Sequence, residues 1–84
     1  MGFLSMLTGV QIRMARNALQ WSVKKLAERS EVSTSTITRA ESVQGVPVTT
    51  KANLQLLRST FEAAGIEFIG TPNDAPGIRI HSHS

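Results

Sequence analysis

The stretch from Trp21 to Glu41, WSVKKLAERSEVSTSTITRAE, constrains the fold of this chain more than any other. It holds two short helical patterns separated by a turn, and the second pattern divides into two faces. With Ser33 as N-cap and roughly 100° per residue, Thr34, Ser35, Thr38 and Arg39 fall within about 140° of one another, while Thr36, Ile37 and Ala40 gather opposite. One face can pack; the other offers hydroxyls and a guanidinium outward. Such a face, carried by a second helix across a tight turn, suits the reading of base edges in a DNA major groove.

The flanking sequence supplies the rest of a small helical domain. Thr8 is positioned to cap a first helix running to about Leu19, with Ile12, Ala15 and Leu19 as its buried stripe and Arg13 and Arg16 off it. Ser22 caps the second helix, to about Arg29 or Ser30, with Leu26 and Ala27 inward and Lys24, Lys25, Glu28 and Arg29 outward. Trp21, the sole tryptophan, reads as a core anchor. The third helix, ending near Ser42, is rich in Ser and Thr of poor helix propensity, so packing through Ile37 and Ala40 must hold it. Gly45 and Pro47 make Ser42 to Thr49 a loop. Thr49 or Thr50 then caps a fourth helix with Leu54, Leu57, Phe61 and Ala64 inward and Gly65 as its stop; Leu56 lies off that stripe with Ala52 and Ala63. In the tail, Ile66 and Phe68 alternate with Glu67, and Ile78 and Ile80 with Arg79, across the turn-rich GTPNDAPG. This reads as a β-hairpin or two edge strands, folded onto the fourth helix or joined to the strands of another copy.

The spacing L-A-x4-V-S-x2-T-I-x3-E, carried by Leu26, Ala27, Val32, Ser33, Thr36, Ile37 and Glu41, resembles the helix-turn-helix of the Xre or Cro/CI family of small repressors. With Leu19, Trp21, Leu54, Leu57 and Phe61 alongside, the resemblance covers roughly Thr8 to Gly65. It implies a mainly α fold, a four-helix lambda-repressor-like DNA-binding domain with a short C-terminal β-hairpin or strand pair. It also implies an ion pair between Arg16 and Glu41 that ties the first helix to the third, leaving spare guanidinium hydrogens for a phosphate. The sequence departs from the family in two places. Val23 stands where many members carry a glutamine that touches the DNA backbone, and Glu31 fills the turn position usually given to glycine. A glutamate with positive φ there would cost about 1 kcal/mol.

An 84-residue chain has room for one domain, which buries only about 60% of its unfolded surface, so a second copy would help it. The absence of cysteine excludes disulfides and thiolate metal sites and fits a reducing compartment. The uncharged start, MGFLSMLTGVQI, lacks a basic n-region and is too short to span a membrane. Met6 stands where myristoylation requires Ser or Thr. Residues 1–7 therefore read as a flexible leader, 8–65 as the DNA-binding domain and 66–84 as a dimerising β tail with a disordered end; the closing HSHS offers too few ligands for a metal. The net charge of +3 hides an asymmetry: from Arg13 to Arg58, eight basic residues face three acidic ones, and from Ser59 onward one faces three. A basic body with a mildly acidic tail is suited to nucleic acid on one side and protein on the other.

The expected function is that of a cytoplasmic, nucleoid-associated transcriptional regulator, a repressor or switch protein of the kind mobile elements carry, binding a double-stranded DNA operator as a homodimer. Arg39 is the expected specificity residue, because a guanidinium can bond O6 and N7 of guanine together. Thr34, Ser35 and Thr38 are the other base-side candidates. Ser22 and Ser33 combine hydroxyls with helix N-termini as phosphate clamps, and Arg13, Arg16, Lys24, Lys25, Thr49, Thr50 and Lys51 are further phosphate candidates. Leu56, Phe68, Ile78 and Ile80 are the expected dimer contacts. The rival reading is a protein-interaction module, an antitoxin or antiactivator on the same fold. Enzymatic activity is not expected, since no catalytic Ser/His/Asp set, metal spacing or phosphate-cradling loop is present, and neither a cofactor nor a small-molecule ligand is implied.

Overall fold

Among the described residues four helices each begin just after a hydroxyl side chain: α1 (Gly9–Ala18), α2 (Val23–Ser30), α3 (Thr34–Glu41) and α4 (Lys51–Ala63). Thr8 accepts from the Gln11 backbone N–H, Ser22 from Lys25, Ser33 from Thr36 and Thr50 from Asn53, so every helix start has one otherwise unpaired donor satisfied. The computed structural model describes residues 7–81; the first six residues of the expected leader and the sequence from Ser82, including His83, lie outside the described residues. After α4 come two antiparallel strands, β1 (Ile66–Thr71) and β2 (Asp74–Ile80). The chain is thus mainly α, with a two-stranded sheet at its end. Among the described residues no helix is long and apolar enough to cross a membrane.

The core unites all of these elements. Ile12 and Ala15 of α1, Leu26 of α2, Ile37 and Ala40 of α3, and Leu54, Leu57 and Phe61 of α4 are buried with Val32, Ile66 and Leu7. Leu7 is only 1% exposed, so the expected boundary of the leader is too late by at least one residue. Leu19 and Ala27, expected inward, are partly buried against this core. Trp21 stacks on Phe61, with ring centroids 6.0 Å apart and planes 18° from parallel. Arg29 lays its guanidinium carbon 5.1 Å above the Trp21 ring, shielding the open side of the anchor.

The turn joining α2 to α3 is only three residues long, and Glu31 takes the left-handed conformation expected of it, with φ 64° and ψ 18°. Its N–H still donates to the Ala27 carbonyl at 2.8 Å. Buried Ser30 closes the turn by donating to the Leu26 carbonyl and accepting from the Val32 N–H. Because a β-carbon is strained in this conformation, Glu31→Gly is expected to raise stability by roughly 0.5 kcal/mol at most after the greater entropy of the unfolded glycine chain is deducted. A shift of the urea midpoint to higher concentration checks this; a lower midpoint would contradict it.

The hairpin is tighter than the sequence suggests. GTPNDAPG reads as one long turn, yet the strands continue into it and leave Pro72 and Asn73 alone at the tip. Gly70, at φ 77°, and Ala75, at φ 52°, absorb a register shift between Ile69 and Thr71. Pro76 fits within β2 because both strands of a two-stranded sheet have an unpaired edge. Phe68 meets Phe61 edge-on at 5.9 Å, and Ile78, its cross-strand partner, packs on the same core. Gln11 of α1 donates from Nε2 to the carbonyls of Ile69 and Gly77 at 3.2 and 2.9 Å. The tail therefore folds back onto its own helices, and the expected division at residue 66 does not correspond to a break in the core. Of the four expected dimer contacts, Phe68 and Ile78 are partly buried within the chain, whereas Leu56 and Ile80 are 45% and 62% exposed. On the outer face Glu67 receives Arg79 and His81, and the hydrogen bond to His81 above all holds its carboxyl below the usual range.

Candidate nucleic-acid interface

Helix α3 is fixed from behind before it offers anything in front. Ile37 and Ala40 are buried. At the C-terminal end the Glu41 carboxylate receives Arg16 through two parallel bonds, Nε to Oε2 and Nη2 to Oε1, each 2.8 Å. The third guanidinium nitrogen, Nη1, donates to the Trp21 carbonyl at 3.0 Å. The side chains are only 17% and 8% exposed, and hydrogen bonding to Glu41 raises the pKa of Arg16 further above its already high value. This fork locks α1, the start of α2 and α3 in one relative placement. Arg13, one turn earlier on α1, donates from Nη1 to the Glu41 carbonyl at 2.7 Å and so satisfies one of the last free acceptors of α3. Its guanidinium therefore has a structural partner in addition to the phosphate role read from sequence.

The outward face of α3 is open. Thr34, Ser35, Thr38 and Arg39 are all exposed, and among the described residues the side chains of Thr34, Thr38 and Arg39 make no hydrogen bond; the Ser42 hydroxyl donates to the Arg39 carbonyl, not to its guanidinium. Ser33 donates to Thr36 Oγ1 at 2.8 Å and lies 3.3 Å from Ser35 Oγ, so the first turn carries a short chain of hydroxyls. Thr36, assigned to the packing side by angle alone, is half-buried and borders the open face. It is a further candidate contact that the helical wheel hides, because it sits at the boundary between the two faces.

Two depressions gather the remaining candidates. A hollow of about 630 Å³ between α3 and the start of α4 is lined by Thr36 and Arg39 on one side and Thr49, Thr50 and Asn53 on the other. Asn53 donates from its side chain to Thr49 Oγ1 at 3.1 Å, fixing that hydroxyl at the rim. A shallower hollow of about 390 Å³ beside the α2–α3 turn joins Lys24 to Ser33 and Thr34, and Glu28 and Glu31 share it. The structure thus brings Arg39 together with Thr49 and Thr50, and Lys24 together with Ser33 and Thr34. Ser22 and Lys25 stay at the exposed start of α2, where the Ser22 hydroxyl accepts from the Lys25 N–H. Arg16 lies apart, inside its ion pair.

Counter-charges separate the cations into two groups. Arg16, Arg58 and Arg79 are paired with Glu41, Glu62 and Glu67. Six more, Arg13, Lys24, Lys25, Arg29, Arg39 and Lys51, are exposed and form no ion pair among the described residues; Arg13 is held by the Glu41 carbonyl and Arg29 lies over Trp21, which leaves Lys24, Lys25, Arg39 and Lys51. These four sit in the first turn of α2, the last turn of α3 and the first turn of α4. Lys24, Lys25 and Lys51 lie beside helix N-termini, where unpaired cations attract polyanions, whereas Arg39 lies near the C-terminal end of α3. Among the described residues no group of three His, Cys, Asp or Glu side chains is arranged to hold a metal ion. No protein-family model, curated protein or solved structure matches the chain.

Proposed function

We propose that this chain is a sequence-specific DNA-binding transcriptional regulator of the helix-turn-helix type, similar to the Xre or Cro/CI repressors, that sets α3 into the major groove. The observation that supports it most is the division of α3: a back fixed by Ile37, Ala40 and the Arg16–Glu41 fork, and a front of four exposed polar side chains. Direct readout needs this combination, since base contacts discriminate only when the reading helix is held rigidly. Arg39 reads guanine, Thr34, Ser35 and Thr38 supply shorter contacts, and Lys24, Lys25 and Lys51 with the hydroxyls of Ser22, Ser33, Thr49 and Thr50 set the register on phosphates. A homodimer through the exposed Leu56 and Ile80 would place two copies of α3 on half-sites about one helical turn apart. Repression or switching in a mobile element is the biological role that the family likeness suggests. The interaction-module reading draws less support, because the apolar tail that would serve it is partly spent on the chain's own core.

Fluorescence anisotropy over a salt series and over single-base variants of a site selected from random DNA tests this. Lys51→Ala should weaken every sequence alike and reduce the slope of log K against log salt by about one. Arg39→Ala should instead lose about 1–3 kcal/mol of discrimination at one guanine. Binding without sequence preference, or unchanged preference in the Arg39 variant, would remove α3 from the groove.

A further inference from the structure

The loop between α3 and α4 carries one side chain that neither the fold nor the phosphate contacts use. Val48 is 97% exposed, the most open large apolar residue among those described. It is nevertheless held firmly. Pro47 before it is buried, and the Thr49 N–H donates to the Pro47 carbonyl at 3.1 Å, closing a three-residue turn with Val48 at its apex. Thr49 is in turn fixed by Asn53 of α4. A β-branched side chain has few rotamers to lose, so an apolar tip is presented to solvent at low entropic cost. Val48 borders the same hollow as Arg39 and Thr36, and Val43 and Pro47 make that wall apolar.

Resting on the DNA-binding reading, we propose that Val48 is a second reading element, which packs against the 5-methyl group of a thymine beside the guanine taken by Arg39. Thymine is the base that offers an apolar group in the major groove, and an apolar side chain is what recognises it. The cation Lys51, just beyond the loop at the start of α4, fits a phosphate that would flank such a contact.

Deoxyuridine removes that methyl group and leaves the hydrogen-bonding edge intact. Each thymine of the selected site is replaced in turn by deoxyuridine, and affinity is measured with the full chain and with Val48→Ser, whose exposed position leaves the thermal midpoint unchanged. One thymine next to the Arg39-dependent guanine should lose about fourfold in affinity for the parent chain, equivalent to the roughly 0.8 kcal/mol of one buried methyl-sized group. Val48→Ser should abolish the loss at that position and preserve it at any thymine read by α3. Superimposable profiles, or a uniform weakening by Val48→Ser, would overturn the methyl contact while leaving DNA binding standing. Failure to bind any selected duplex would overturn both readings.

Discussion

Arg16→Ala is expected to destabilise the domain by about 3–5 kcal/mol, because it strands a carboxylate that is almost wholly buried. Glu41 is 8% exposed and its two oxygens face the two guanidinium nitrogens of Arg16 directly. With the guanidinium gone, the carboxylate loses both partners, and the Trp21 carbonyl loses its donor. A domain of this size holds only about 4–13 kcal/mol in total, so a large share of its stability depends on one side chain. The thermal midpoint should fall by more than about 12 °C on the usual scale for small domains. Trp21 gives a direct readout, since its ring leaves the Phe61 stack on unfolding. Arg16→Lys should recover only part of the loss, as an ammonium cannot form the parallel pair of bonds. Replacing both partners, Arg16→Met with Glu41→Leu, should cost far less than Arg16→Ala, because no charge is then left buried. If Arg16→Ala melted with the parent chain, the fork would contribute nothing, and α3 would lack from it the rigid backing that direct readout demands.

That fork shows how sequence and structure divide the information. The helix starts were legible nearly residue by residue, because a hydroxyl at an N-cap acts on donors three positions away: Thr8, Ser22 and Ser33 cap as expected, and of the two candidates for the fourth helix Thr50, not Thr49, is the cap. The two faces of α3 were legible for the same local reason, except at the borderline Thr36. The partnership of Arg16 with Glu41, twenty-five residues apart, followed only from likeness to a family; nothing in the intervening residues dictates it. Gln11 shows a missed but available signal. T-x-x-Q is a capping box, and Gln11 completes it by accepting from the Thr8 N–H at 3.0 Å. Its second role, donating to Ile69 and Gly77 more than fifty residues later, carried no signature. The hairpin itself is legible in the alternation of Ile66, Phe68, Ile78 and Ile80, but its turn reads too long, because Gly70 and Pro76 carry turn chemistry while serving a bulge and an edge. Arg13 and Val48 owe their significance to what folds against them or leaves them bare, which a helical wheel does not contain.

Gly9→Ala is expected to cost about 3 kcal/mol, the upper part of the range for overpacking, although the same exchange in the first turn of an ordinary helix is favourable. The reason is contact, not backbone conformation. A β-carbon built on Gly9 collides with the carbonyl oxygens of Ala40 and Val43, so the start of α1 lies bare against the end of α3 and the loop that follows. The Gly9 N–H also donates to the Gly45 carbonyl at 2.9 Å, and any shift that admits a methyl group breaks that bond. The neighbours cannot yield as a flexible side chain would, because both obstacles are backbone. Gly45 supplies the control: nothing lies within 4 Å of its β-position, so Gly45→Ala should stay within about 0.5 kcal/mol of the parent chain. Urea unfolding followed through Trp21 separates the two variants, and near-equal midpoints would show that α1 can retreat from the loop at no cost. The segment that Gly9 holds in place runs on through Pro47 and Val48 to the rim shared with Arg39. On the proposed DNA-binding reading, a Gly9→Ala chain that remains folded should bind the selected site more weakly, with the loss concentrated at the base pairs assigned to Val48 and Arg39 and the salt dependence conserved.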